Sequence, residues 1–230
     1  MVIGLVGPTG SGKSYVGKRL VETEKYRIIN ADSCQIFKGF EVLKAVPENL
    51  NQHRLYSFLN YNEKIDVVAW LKYVVLEIEQ AMKDNKIPVV LGGSVFYFNV
   101  LQNGIVNLPK VKSSNDSFEE IKLFLKNKDP LVLEKFKDER RIRKAYDVLK
   151  QTNKSVFSYY GSEEKLFNYD FKLFSLIPVK HDLNANILKR LNNSFDLMFN
   201  EVNEASKEKI AFNQNLIGVK EIQACLKKEI

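Results

Sequence analysis

The chain has 230 residues, of which 45% are hydrophobic, enough to bury a substantial core and to exclude a disordered chain. Its formal charge of +7 points to a polyanionic partner without naming one. Cys34 and Cys225 lie too far apart for a metal motif or a disulfide framework, and no apolar run reaches membrane-spanning length; a cytoplasmic, monomeric protein with free thiols and no membrane contact is expected.

The N-terminal portion alternates short β-branched runs with helical stripes, as a parallel sheet with crossover helices does. Val2–Val6 reads as the first strand and leads directly into Gly7-Pro8-Thr9-Gly10-Ser11-Gly12-Lys13-Ser14. This is the spacing of a phosphate-binding loop. The glycines let the backbone amides turn inward, and the following helix presents its positive end to the same anion. Lys13 adds a point charge, and Ser14 supplies the hydroxyl that completes a magnesium shell. Further strands are predicted at 27–31 and 88–91, with a helix over 66–83 whose stripe of Val67, Trp70, Leu71, Val74, Val75, Ile78 and Met82 faces the core.

A turn-rich stretch over 104–117 opens a small helical insert, predicted over 118–154. There Asp138 is expected to cap a helix with Ile142, Ala145, Tyr146 and Leu149 inward and Arg140, Arg141, Arg143 and Lys144 outward. The chain then returns to a strand over 173–179. A further helix is expected to be capped by Asp182, burying Ile187, Leu188, Leu191, Phe195 and Met198. The predicted fold is therefore α/β: a P-loop NTPase-like parallel sheet flanked by helices, its core formed by residues 1–104 and 170–230, with a helical insert over 105–169.

The strand ends select the chemistry. The second predicted strand runs into Asn30-Ala31-Asp32-Ser33-Cys34-Gln35, which puts an acid, a hydroxyl and an amide at the carboxyl edge of the sheet. Asp32 there is a candidate base, with a turn-forming role or a magnesium partner as the plainer readings. The third ends in Gly92-Gly93-Ser94 and carries no aspartate, which counts against ordinary triphosphate hydrolysis. His53 and His181 have no acidic or thiol partner at ligand spacing and read as surface or packing residues.

Taken together the motifs resemble those of the tRNA dimethylallyltransferases, or isopentenyl-tRNA transferases. The family's Gly-Pro-Thr-x-Ser-Gly-Lys-Ser/Thr stands at residues 7–14, and its Asp-Ser-x-Gln-x-Tyr-x-Gly stands at 32–39 with Phe37 in place of Tyr. Gly-Gly-Thr-x-x-Tyr is present as Gly92-Gly93-Ser94-Val95-Phe96-Tyr97, and the Asp-x-x-Arg helix with its Thr-Gly-Lys turn as Asp138, Arg141 and Thr152-Asn153-Lys154. Ile217-Gly218-Val219-Lys220-Glu221 is similar to a fifth patch. The chain departs from the family after His53-Arg54-Leu55, where no acid follows, and it ends at Ile230 without the family's Lys-Arg-Gln-x-Thr-Trp segment.

The resemblance implies transfer of a dimethylallyl group from its diphosphate to the exocyclic amine of an adenosine beside the anticodon of tRNA, with Mg²⁺ as cofactor. It implies that residues 7–14 hold the diphosphate, that Ser14 meets the metal, and that Lys13, Asp32 and Ser94 are catalytic. Asp32, Ser33, Cys34, Gln35 and Ser94, with Arg140, Arg141, Ile142, Arg143 and Lys144, would then meet tRNA. Arg141 and Arg190 are the candidates for a second cation facing the diphosphate. A P-loop small-molecule kinase and a non-catalytic tRNA-binding remnant remain the alternatives.

Overall fold

The β-rich runs and helical stripes of the sequence build a parallel sheet in the computed structural model, which describes residues 1–161, 165, 167–207 and 216–227. The chain separates into two units, residues 1–102 with 166–230 and residues 103–165. In the first, strands β1 (Val2–Val6), β2 (Tyr26–Asn30), β3 (His53–Arg54), β4 (Ile87–Gly92) and β5 (Phe171–Ser175) pair in the order β3-β2-β4-β1-β5. Every pairing is parallel.

The register decides what meets what. Val6 lies opposite Gly92 and Asn30 opposite Leu91, so β1, β2 and β4 end at one level. The segments that follow these strands are the three predicted site motifs, and they converge at the carboxyl edge, where ligands of open α/β sheets bind. Helix α1 (Lys13–Val21) follows β1 across the loop 7–12, with Gly12 as its N-cap at φ 89°, a left-handed conformation that favours glycine.

Helix α3 (Val67–Lys83) starts where its cap predicts: Asp66 accepts from the Ala69 amide at 2.8 Å, and Trp70, Leu71, Val74, Ile78 and Ala81 are buried. The Trp70 ring stacks on Tyr97 of α4 (Val95–Asn103) at 4.0 Å and its indole N–H donates to the Asn30 carbonyl at 3.3 Å. That aromatic pair backs the end of β2.

Three local expectations are corrected. Strand β5 ends at Ser175, not at 179; the Leu176 amide still donates to Val6, but Pro178 has no N–H to continue a ladder, and Ile177 and Val179 are exposed. Helix α8 (Lys180–Lys207) begins two residues before Asp182, which sits in its first turn and is not its cap. Of the stripe expected to be buried on α8, only Met198 is, together with Val202; Leu188, Leu191 and Phe195 are exposed. The face of α8 that meets the rest of the unit is mixed: Met198 and Val202 pack in an apolar cluster, while Arg190 and Glu201 hydrogen-bond to α2. Strand β3 and the short helix α2 (Glu41–Lys44) were not foreseen from the sequence.

The second unit is helical: α5 (Phe118–Lys128), α6 (Pro130–Lys135) and α7 (Glu139–Thr152) enclose Ile121, Leu125, Val132, Ile142, Ala145, Tyr146 and Val156. Ser117 and Glu120 cap α5 reciprocally, and the Asp138 carboxylate caps α7 by accepting from the Arg141 amide at 2.9 Å. A last helix, α9 (Val219–Leu226), packs Val219 and Ile222 against Met198 and Val202 of α8 and Phe40 beside α2 in the first unit.

Candidate active site

The loop after β1 closes on its own lysine. Lys13 Nζ donates to the Gly7 carbonyl at 2.5 Å, the Pro8 carbonyl at 2.8 Å and Ser11 Oγ at 3.4 Å. Burial depresses the pKa of this ammonium below its usual value, and the nearby Asp32 carboxylate works in the opposite direction. Gly7 is buried and leaves no room for a side chain, since a Cβ there would lie 2.5 Å from the Leu176 carbonyl. Pro8, Thr9, Gly12 and Ser14 are exposed at the loop surface.

Asp32 stands just past the end of β2, fixed by its neighbours on both sides. Its amide donates to Asn30 Oδ1 at 2.9 Å, and the Asn30 amide group donates back to the Asp32 carbonyl at 3.1 Å and across to the Leu55 carbonyl at 3.0 Å. The carboxylate accepts from the Cys34 amide at 3.0 Å, so one oxygen closes a local turn. Its other oxygen lies towards Gly93, where an added Cβ would approach it to 3.4 Å. Ser94 Oγ accepts from the Ser33 amide at 3.4 Å, which joins the ends of β2 and β4. Gly92 is forced by the same closeness: a Cβ there would sit 2.1 Å from the Ala31 carbonyl oxygen.

A crevice of about 250 Å³ is lined by residues 9–14, Asp32, Gln35, Lys44, Ala45, Leu91, Gly92 and Arg190; Ser94 does not line it and is linked to it through the Ser33 amide beside Asp32. Of the two cations proposed opposite Lys13, Arg190 is in its wall. Arg141 belongs to the second unit, where it is exposed and pairs with Asp138 at 3.3 Å. Gln35 reaches the crevice, but its amide N–H groups are committed to the Lys44 and Ala45 carbonyls at 2.8 and 3.0 Å. Ser33 and Cys34 are exposed beside Asp32. Asp32 is the one carboxylate in the lining, beside the Thr9, Ser11 and Ser14 hydroxyls and the Gln35 side-chain carbonyl, and among the described residues no group of three or more His, Cys, Asp and Glu gathers for a metal. Such a sparse oxygen set suits Mg²⁺, which keeps waters and takes substrate phosphates as ligands.

Two contributors escaped the sequence reading. Asn30 sat in the motif without a role, although a polar residue closing a buried strand is itself a signal. Lys44, only 7% exposed, donates to the Phe37 carbonyl and lies over the Tyr61 ring at 5.7 Å; burial pushes its pKa down. Nothing local distinguishes it from any surface lysine.

The RNA-contact candidates of α7 separate into kinds. Ile142 is 6% exposed and part of the core of the second unit, so its side chain is corrected from an RNA-contact candidate to a packing residue. Arg143 is held within its unit by Glu139 at 2.7 Å and the Asp116 carbonyl at 2.9 Å. Arg140 and Arg141 are exposed and Lys144 is half-exposed.

A parallel sheet with a glycine-rich loop between β1 and α1, and an acid at the end of the next strand, defines a phosphate-loop α/β protein. The IPP transferase family model matches residues 35–230. The tRNA dimethylallyltransferase of Rickettsia typhi is 32% identical over 247 residues, covering 98% of this chain and 79% of that protein. The enzyme of that name from Pelagibacter ubique is 31% identical over 253 residues, covering 100% and 80%. Among solved structures, a eukaryotic dimethylallyltransferase captured acting on tRNA superposes with a TM-score of 0.82 at 21% identity; the match covers 99% of this chain and 63% of that one. The Staphylococcus epidermidis tRNA Δ2-isopentenylpyrophosphate transferase gives 0.63 at 22% identity, covering 100% and 81%. The chain belongs to the IPP transferase family.

Proposed function

We propose that the chain transfers a dimethylallyl group from dimethylallyl diphosphate to the exocyclic N6 amine of an adenosine next to the anticodon in tRNA. The observation that carries this reading is the crevice that unites the phosphate loop, Asp32 and Arg190 in a member of this family. In the reaction the allylic C–O bond breaks with its electron pair passing to the diphosphate. A C–N bond forms to the adenine amine, and the amine proton passes to a base.

The amides of residues 9–14 receive the departing anion, and Lys13 turns its ammonium from the Gly7 and Pro8 carbonyls towards it. Arg190 contributes charge from the crevice wall. Ser14 is the group that would hold Mg²⁺ together with diphosphate oxygens, and the ion would supply neutralisation of the charge that develops on them. Asp32 is the base: the Cys34 amide engages Oδ1, while Oδ2 faces the Gly93 side, where the amine would arrive. Ser94, tied to Ser33, orients the acceptor. Because its target base must leave the stack, the exposed Ser33 and Cys34 lie where a flipped adenine would be braced. Arg140, Arg141 and Lys144 are our candidates for tRNA phosphates. No helix among the described residues is long and apolar enough to cross a membrane; we place the reaction in the cytoplasm, carried out by a monomer with a helical insert that meets tRNA.

The test is transfer of labelled dimethylallyl diphosphate to unmodified tRNA in the presence of magnesium, beside Lys13→Ala. Label entering tRNA with the unmutated chain alone is expected. Stabilisation by ATP with no response to the prenyl diphosphate would instead identify a kinase.

A further inference from the structure

Helix α2 has only the residues Glu41–Lys44, and both of its flanks, Phe40 and Ala45, have φ of 55° although neither is glycine. So short a helix does not persist alone, and non-glycine residues in the left-handed region persist only where the surroundings hold them. Gln35 holds its last carbonyls, those of Lys44 and Ala45, and α8 holds the rest of the turn. Glu201 accepts from the Val42 amide at 3.2 Å and the Leu43 amide at 3.0 Å, and Arg190 Nη2 donates to the Leu43 carbonyl at 2.6 Å. An acid therefore meets the amide end of the turn and a base its carbonyl end, the favourable sense for the peptide dipoles.

The spacing on α8 suits this double grip. Residues 190 and 201 are eleven apart, about three turns, so they share one face. Asn186, one turn before Arg190, donates to the Gly10 carbonyl of the phosphate loop at 2.9 Å. The same helix face thus touches the loop, carries Arg190 into the crevice wall and anchors α2. Gly218 of the Ile217-Gly218 patch leaves room for the Leu43 side chain, since a Cβ there would lie 3.0 Å from Leu43 Cδ1.

We propose that Glu201, which does not line the phosphate crevice, is a positioning residue for diphosphate binding. It caps α2 and so fixes the Leu43 carbonyl that sets the Arg190 guanidinium against the phosphate loop. The inference rests on the diphosphate reading of the crevice.

The experiment is calorimetric binding of inorganic pyrophosphate with magnesium to the full chain, in parallel with KM and kcat for dimethylallyl diphosphate. Glu201→Ala is expected to weaken pyrophosphate binding and raise KM by about tenfold, with kcat changed by less than about threefold. Glu201→Gln keeps one acceptor oxygen and is expected to recover most of that loss. In an Arg190→Ala background, Glu201→Ala should add less than about twofold, because its effect passes through the arginine. Unchanged pyrophosphate affinity in folded Glu201→Ala, or a full additional loss in the Arg190→Ala background, overturns the proposal alone. Failure of the unmutated chain to bind pyrophosphate overturns the diphosphate reading and the proposal with it.

Discussion

Replacing Asn30 by alanine tests how the edge that carries Asp32 is held. Asn30 is 0% exposed, and its side chain makes three hydrogen bonds, one accepted from the Asp32 amide and two donated to the Asp32 and Leu55 carbonyls. Each such bond contributes about 1 kcal/mol net, and buried groups left without partners add a further penalty, so Asn30→Ala should destabilise by about 3 to 5 kcal/mol. At about 2 to 4 °C per kcal/mol for a unit of this size, the melting temperature falls by about 6 to 20 °C. Asn30→Asp keeps the acceptor but cannot donate and buries a carboxylate beside Asp32, so at neutral pH it is expected to be no better. Urea unfolding followed by circular dichroism gives the free energy, and prenyl transfer by the folded fraction gives the functional effect, expected to be about tenfold from loss of Asp32 placement. A loss of less than about 1 kcal/mol with full transfer activity would refute the bracing role assigned to this residue.

Asp32→Asn should retain pyrophosphate binding and lower kcat by about 10² to 10⁴, measured by single-turnover transfer; unchanged kcat removes Asp32 as the base. Gly92→Ala places a Cβ 2.1 Å from the Ala31 oxygen, so β2 and β4 must part, at about 3 kcal/mol or more, read from the urea midpoint. His53 lies edge-on to Tyr56, and burial holds its imidazole below the ordinary value of 6.5. The unfolded chain therefore takes up the proton first, and stability is full above that value and declines as the pH falls below it; His53→Phe should flatten this acid limb in urea titrations. Arg140→Ala and Lys144→Ala should each leave stability within about 0.5 kcal/mol while lowering the salt slope of tRNA binding by about 1, measured by filter binding across salt concentrations. Arg143→Ala, which loses Glu139 and the Asp116 carbonyl, should instead lower the melting temperature.

Features encoded within a few residues are legible in the sequence itself. The phosphate loop, the Asp66 cap of α3 and the Asp138 cap of α7 each depend on groups no more than about two turns apart. Other features depend on partners far along the chain. Helix α2 is held by Glu201, whose contacts to Val42 and Leu43 span 159 and 158 positions, and β3 exists as two residues because β2 offers it a ladder. The α8 stripe misled for a related reason: apolar spacing marks a helix but does not say how much of a stripe is covered, and here only Met198 and Val202 are buried while Asn186, Arg190 and Glu201 make the polar contacts to the loop and α2. Within the crevice, Lys13 and Asp32 are visible as motif members, while Arg190 needs the fold to separate it from Arg141.

The Lys13 ammonium, bonded to Gly7, Pro8 and Ser11 of its own loop, ties the curl of that loop to its own cation. An arriving anion finds a formed cradle whose cation is occupied by weak neutral acceptors, so association substitutes one set of partners for another and orders little new chain. The affinity that results should be carried by charge, with a modest entropic penalty and a marked response to competing anions. On the diphosphate reading proposed above, release would run by the reverse substitution, the carbonyls of the loop reclaiming the lysine as the anion departs.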